Sequence, residues 1–579
     1  MKLNMWKKSK ISQAGKAMLF VLMVMLLLPA CNDMLEVDSN RLTTDTEFDL
    51  NAPTDSVYAF VGLFSKLQKL ADSYVLLGEL RGNLLTASAA AGEELNQIEN
   101  FEVTTGNKYT DVRKYYDVIN NCNYLIQKFD TNKVDRGQKL VLRQYAAVKT
   151  IRAWTYMQLA LNYKTVKYLE KPILTIADAE KDYSSYEIGL QELTDKLIND
   201  LEPLKDQMMP SLGALNGYGL TYSLFLTRFV LGDLYLWRGA LTGSAADYEN
   251  AARNYYKLMY DYSLTLNGQM DKATHIPLTT SSISYWIPVN NTISSTANLF
   301  WIKSMRMGNG EVYSAISCPD DNGEQFMLDT LNNQRFIVPT VKAISNWDNQ
   351  TYFLNEASTA NGDLRKYGSI SYNDHTNSYS TSFISDFTFT GNPSAKYVIY
   401  KYKINPGYVP IYRASLLYLR YAEALNRLNK PKIAFAVLKY GLNGKNMIVE
   451  NIAPASEKGT PVLDYINFNN VMFDNNVGIR MRGLGNVDKD TAFFKIPRLN
   501  SMADSVLYVE DKIEEELAQE TAFEGNRFHD LMRFAYRRMR NGEAGASYLA
   551  NKIAMKHGYE NTLLKSKLLN TENWYIRKQ

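Results

Sequence analysis

Three cysteines and four histidines in 579 residues leave little material for a Cys/His metal framework. His275, His375, His529 and His557 are scattered and offer no partner to a serine or cysteine nucleophile. An excess of one charge is also missing, since 64 Lys and Arg face 61 Asp and Glu. A dedicated nucleic-acid binder would need a basic face and a high pI, so no nucleic-acid partner is expected. After residue 30 nothing approaches 18 consecutive apolar residues, which excludes a membrane-spanning helix from the body of the chain. What is present is ordinary globular composition, 46% hydrophobic and 22% charged, at a length of roughly three to five domain-sized units. Such a chain buries a large core without disulfides. Tyrosine stands out, with 40 against 23 Phe. It combines apolar area with a polar tip, as a surface that recognises polar ligands needs.

The first thirty residues read as an address. Lys2, Lys7, Lys8, Lys10 and Lys16 precede twelve apolar residues, 17–28, and then Pro29-Ala30-Cys31. A basic start, a short apolar run and a small residue before the cut describe a secretory signal. Twelve residues at 1.5 Å rise cannot cross a ~30 Å hydrocarbon core. Cys31 makes the segment similar to a lipobox, so Cys31 is the expected site of lipid attachment and residues 1–30 the expected signal peptide. Removing five of the 64 basic residues leaves 59 against 61 acids, a net charge of −2. The basic excess belongs to the leader. Cys122 falls in a helical pattern and Cys318 in a loop, and both are expected to be separate thiols.

Helical periodicity organises much of the remainder. Val57, Phe60, Val61, Phe64, Leu67 and Leu70 predict a helix over 54–71. Val112, Tyr115, Tyr116, Ile119, Asn123 and Ile126 predict another over 109–129, and Tyr145, Val148, Arg152, Tyr156 and Leu159 a third over 138–163. Further helices are expected at 186–208, 219–240, 247–261, 412–429 and 431–443, with Pro431 in a first turn. The pairs 219–240/247–261 and 412–429/431–443 read as tetratricopeptide (TPR) units of irregular spacing, with Trp154 and Trp237 in the core. Residues 263–408 break the pattern with Ser, Thr, Asn, Gly and Tyr, brief β-like runs and repeated turn signals. That stretch is too long for a connection and predicts a loop and short-strand layer. Residues 444–506 form a second irregular excursion. Asp320-Asp321-Asn322-Gly323-Glu324 lacks EF-hand spacing and reads as a solvated acidic turn. No metal and no cofactor is expected.

Near the C-terminus stands Glu520-Thr521-Ala522-Phe523-Glu524-Gly525-Asn526-Arg527-Phe528-His529-Asp530-Leu531-Met532-Arg533. Upstream come Leu419-Arg420-Tyr421-Ala422-Glu423-Ala424-Leu425-Asn426, Ile151-Arg152-Ala153-Trp154-Thr155-Tyr156, Tyr115-Tyr116, Asp200-Leu201 and Asp363-Leu364-Arg365. In this order, and behind that leader, the chain resembles the SusD/RagB family of outer-membrane lipoproteins of Bacteroidetes. Asn526 replaces the family's usual His, and His529 stands where an aromatic is common. The signature residues Glu520, Phe523, Glu524, Gly525, Arg527, Asp530 and Leu531 are read as architectural. Their spacing predicts opposite charges paired along one helix face.

The resemblance implies a mainly α fold, in which degenerate TPR-like pairs form a right-handed helical scaffold carrying a loop-rich, short-strand layer. It divides the mature chain into 31–262 (N-terminal helical region), 263–408 (binding layer) and 409–579 (C-terminal region with the signature helix). It implies a cell-surface protein, lipid-anchored in the outer membrane, that captures oligosaccharide as the lid of a SusC-like TonB-dependent transporter. Peptide cargo is the alternative. Trp286, Trp347, Tyr352, Tyr372 and Tyr379 in the loop layer, with Arg81 and Asn83 in the first interhelical loop, are the candidate ligand contacts. Trp347 reads as an exposed platform and Trp301 as a buried strand residue. A surface glycosidase with two carboxylates ~5–9.5 Å apart and a protein-docking scaffold are the competing functions.

Overall fold

The computed structural model describes residues 49–183, 186–215, 218–261, 263–264, 270–271, 311–317, 326–353, 359–371, 397–404 and 407–578. Contacts divide the chain into two compact units, Met1–Leu50 and Asn51–Gln579. Only the last two residues of the first are described, and the elements below all belong to the second. Cys31, Trp286, Trp301, Cys318, Tyr372, Tyr379 and the acidic turn 320–324 lie outside the described residues.

The principal helices are α1 (Pro53–Gln68), α2 (Ala71–Glu79), α3 (Arg113–Lys128), α4 (Leu142–Tyr163), α5 (Leu190–Leu201), α6 (Thr227–Thr242) and α7 (Ala245–Asp261). In the C-terminal part follow α8 (Ala414–Arg427), α9 (Pro431–Lys439), α10 (Met502–Glu520), α11 (Arg527–Arg540), α12 (Gly545–Ala554) and α13 (Thr562–Leu568). From α3 onward they pack in a continuous array: α3 on α4, α4 on α5, α5 on α6, α6 on α7, α7 on α8, and α8 on both α9 and α10. Stacked pairs of this kind bury a core that no single pair could. The fold is mainly α, as the periodicity and the resemblance predict.

Local chemistry explains the register. In α3 the buried stripe is Tyr115, Val118, Ile119, Cys122, Asn123 and Leu125, so the inner face is centred one position away from the predicted stripe and Ile126 is only half-buried. Helix α4 is buried on nearly every side from Ala146 onwards, with neighbours on several faces. Trp154 and Trp237 are in the core, as expected. In the α6–α7 pair the rings of Tyr255 and Tyr248 lie against Gly232 and Gly239, where a β-carbon would come within 2.3 and 2.8 Å. Gly243 closes α6 in the left-handed conformation. Pro431 occupies the first turn of α9.

The predicted boundaries move where short strands intervene. The helix expected from 138 begins at Leu142, because Val134–Asp135 and Gln138–Lys139 form a hairpin. The helix expected from 219 begins at Thr227, after a 3₁₀ turn over Leu220–Ser223. The described parts of 263–408 are short strands, as expected, and also short helices, such as Met327–Asn333 and Val341–Asp348, which were not. Strand β1 (Leu85–Ala87) pairs antiparallel with β3 (Ile337–Pro339), and β2 (Val312–Ser317) with β4 (Tyr408–Arg413). Among the described residues no helix is long and apolar enough to cross a membrane.

Candidate functional site

The signature residues do not lie on one helix face. Glu520 ends α10 and Arg527 begins α11; between them Phe523 and Gly525 take positive φ, 68° and 86°. That turn corrects the expectation of pairing along one face. Asp530 with Arg533 is an i,i+3 pair within α11, whereas Glu520, Glu524 and Arg527 pair with other elements.

Glu520 accepts from Arg365 Nη1 at 2.8 Å, Arg413 Nη1 at 2.9 Å and Arg482 Nη1 at 3.2 Å. Glu524 accepts from Lys401 Nζ at 2.6 Å and from Arg413 Nε at 2.7 Å. Arg365 also holds Asp363 at 2.6 Å and Glu516, while Arg482 holds Glu311 at 2.6 Å. Arg480 reaches Glu516 at 3.1 Å. In this buried cluster bases and acids are equal in number. Burial would push the Glu520 and Glu524 carboxyls up, but the guanidiniums hold Glu520 well below the usual carboxylate range, and Arg413 with Lys401 lowers Glu524. The cluster fastens the segments around 311, 363–365, 401–413 and 480–482 to the end of α10. Removing one partner strands another charge in low dielectric, so Glu520 and Glu524 fasten these segments together.

The remaining described candidates from the sequence lie inside the protein. Arg81 is buried; its Nε donates to Leu77 O at 2.8 Å, its Nη1 to Trp574 O at 3.1 Å and its Nη2 to Asn162. Asn83 accepts from Arg527 Nε at 2.6 Å and donates to Lys552 O at 3.2 Å. Trp347 is 0% exposed, not a platform: its indole N–H donates to Gln519 O at 3.2 Å, and its ring lies 6.2 Å from that of Phe523. Tyr352 is buried, and burial pushes its hydroxyl up to about 12. A ligand reaching these four side chains would have to displace the core around them.

The sequence reading missed an open cleft of about 450 Å³ beside Tyr168. Its wall is the segment 168–174, fixed to the helices by three motif residues. Asn123 Nδ2 donates to Leu169 O at 2.8 Å, and Tyr156 accepts from Leu169 N at 2.8 Å. Arg152 ties Asn123, at 2.7 Å, to Asp200, at 2.6 Å. Asn120 adds a pair of bonds to Ile173, 2.6 and 3.0 Å. The Tyr168 ring packs on Tyr156 with centroids 5.0 Å apart. Gln127, Glu170 and Lys171 line the opening, and their side chains make no hydrogen bond within the described chain. An aromatic held rigid beside free amide, carboxylate and ammonium groups suits a polyhydroxylated ligand, with apolar contact from the ring and direction from the polar groups. The Arg152–Tyr156 spacing was visible in the sequence, but the segment it supports carries no periodic signal.

Cys122 is buried in α3, and burial pushes its thiol up to about 12, so it is inert.

No known family profile matches the sequence, and no curated protein matches it. Solved structures do match, 43 chains in all. A SusD homolog from Bacteroides thetaiotaomicron VPI-5482 superposes with a TM-score of 0.58 at 14% identity, over 88% of this chain and 91% of that one. A SusD superfamily protein from Bacteroides vulgatus ATCC 8482 gives 0.52 at 14% identity, over 91% and 95%. A SusD-like carbohydrate binding protein from Bacteroides fragilis NCTC 9343 gives 0.52 at 14% identity, over 85% and 88%. Likeness at these identities is a likeness of backbone, and the chain carries the fold of the SusD/RagB family.

Proposed function

We propose that this chain is a cell-surface nutrient-binding lipoprotein that captures oligosaccharide and delivers it to a SusC-like TonB-dependent transporter, acting as its lid. The observation that carries the reading is the SusD-like fold over nearly the whole mature length, one neighbour of which is a carbohydrate binding protein. The leader ending at Cys31 supports a lipid anchor, and the Tyr168 cleft offers an aromatic wall with free polar groups. Trp286, Tyr372 and Tyr379 remain proposed contacts from the loop layer. The protein binds cargo and does not cleave it.

Calorimetry of the mature protein across a panel of neutral oligosaccharides and peptides tests this. Saccharide binding that weakens about tenfold or more in Tyr168→Ala, Trp286→Ala or Tyr372→Ala is the expected result, since stacking on an aromatic contributes more than a kcal/mol. Peptide heats without saccharide heats would replace the cargo, and shortened sugars after incubation would make the protein an enzyme. Cys31→Ala should release the protein from membranes; unchanged membrane retention removes the anchor. Co-purification with a large β-barrel tests the transporter.

A further inference from the structure

The first turn of α4 opens into a second cleft, of about 640 Å³, within the ~300–1,000 Å³ range of small-ligand sites. One wall is the hairpin over Val134–Asp135 and Gln138–Lys139, turned at Arg136 and Gly137, both with positive φ. The opposite wall is the segment around Gln207 and Pro210. Three observations meet there. Val141, at the cap of this 22-residue helix, makes no side-chain cap bond, so the positive end of the helix meets no side-chain acceptor at that position. Arg136, Lys139 and Arg143 line the cleft and are exposed, and none of them makes an ion pair within the described chain; the acid on the lining is Asp135. Gln144 also lines it and is only 8% exposed, yet its side-chain amide makes no hydrogen bond within the described chain. The amide reaches the solvent of the cleft, where a ligand hydroxyl can replace water as its partner.

We infer that this cleft binds an acidic saccharide, with its carboxylate or sulfate on Arg143, Lys139 and the α4 N-terminus and its hydroxyls on Gln144. Cations beside neutral amides distinguish a charged sugar from a bare anion, and the half-buried Leu142 offers an apolar edge to a ring face. Net charge does not oppose the assignment, because the basic groups are local to the cleft. The inference rests on the saccharide reading above and adds a second, charge-selective site to it.

The mature full-length protein is titrated by calorimetry with tetragalacturonate, a hyaluronan tetrasaccharide and a chondroitin sulfate disaccharide, against neutral maltotetraose. Parallel titrations use inorganic sulfate and vesicles containing phosphatidylglycerol. At least one acidic sugar should bind with an affinity that falls as salt rises. Arg143→Gln should weaken that binding about tenfold or more. Gln144→Leu should weaken it without lowering Tm, because the amide it removes has no partner in the fold. Tyr168→Ala should leave it unchanged. No binding across the acidic panel, equal binding of maltotetraose, or indifference to Arg143→Gln and Gln144→Leu would overturn the site. Sulfate binding as tightly as the sugars would reduce it to a small-anion site, and tighter vesicle binding through the same residues would make it a headgroup site; either result overturns the saccharide assignment. Neutral-sugar binding that depends on Tyr168 alone would remove this cleft while leaving the proposed function standing.

Discussion

At the scale of single residues, the tyrosine excess has a structural use beyond recognition. Many of these hydroxyls reach from a helix to a backbone carbonyl in an irregular segment. Tyr402 donates to Phe523 O at 2.8 Å, Tyr256 to Asn467 O at 2.6 Å, Tyr421 to Tyr465 O at 2.5 Å and Tyr163 to Thr110 O at 2.7 Å. Phe would bury the same area and leave those carbonyls unpaired. Glu79 works in a similar way, accepting Gly525 N at 2.8 Å, but as an acid it titrates. Burial raises its carboxyl from 4.5 to about 7, against the pull of the backbone N–H groups of the signature turn and of Arg527. The folded state therefore holds this proton more tightly than the unfolded chain, and its contribution to stability falls as pH rises from about 4.5 to 7. Over that window the loss is about 3 kcal/mol. Glu79→Gln should abolish this slope, which melting curves at pH 5 and 7.5 will show. Glu99 and Glu514 act in a different window. Burial raises both, but Lys556 for one and Arg527 with Lys552 for the other hold them at about 2. Their contribution is lost only as pH falls below about 4.5, so the two effects separate.

At the scale of elements, the turn between α10 and α11 shows what the sequence made legible and what it did not. Helices α1, α3, α4 and α6 to α9 are legible from local period and composition, although α4 is buried on nearly every side and carries no amphipathic stripe. The partners of the signature are not local: Arg365 and Glu520 lie 155 positions apart, and no spacing rule connects them. Backbones approach closely at this turn: the partner of Gly525 is Gly78, whose β-carbon would sit 1.8 Å from Gly525 O. Gly525→Ala would place a β-carbon 2.5 Å from the Tyr74 ring at φ +86°. It should destabilise the protein by on the order of 3 kcal/mol or more, read as the urea midpoint. Trp347 failed for a different reason. Its neighbours Asn346, Asp348 and Asn349 made it look exposed, but Thr340 caps a helix over Val341–Asp348 whose inner face is Ala343, Ile344 and Trp347. The capping residue and the 3.6 period were both readable there. In the ion cluster, Arg365→Met leaves Asp363, Glu516 and Glu520 short of a cation and should cost about 3–5 kcal/mol. Arg365→Lys should restore little of it, since one ammonium cannot reproduce a fork spread over several partners. Equilibrium unfolding of both variants checks this.

At the scale of the whole molecule, the beginning and the end of the described chain are built into each other. Arg81, just after α2, donates to Trp574 O, and Ile576 N donates to Asn162 O at 2.8 Å at the end of α4. Helix α2 packs on α11, and the Arg81 guanidinium lies 4.4 Å from the Phe528 ring centroid. Trp574 is 0% exposed, its N–H donating to Leu568 O at 2.8 Å and its ring edge-on to Tyr536. Closure of this kind makes residues 574–576 part of the N-terminal core. Trp574→Ala should cost about 3–5 kcal/mol through the cavity it leaves, and it should loosen residues far upstream. Hydrogen exchange is the discriminating measurement. Faster exchange in α2 and at the C-terminal end of α4, as well as in α13, is the expected result. Acceleration confined to residues 562–578 would show that the tail merely rests on a core completed without it. The same experiment bears on binding, because Arg152 and Tyr156, which fix the wall of the Tyr168 cleft, lie on α4 together with Asn162. A tail that tightens α4 should tighten that wall, so Trp574→Ala is expected to weaken saccharide binding at Tyr168 without touching the cleft itself.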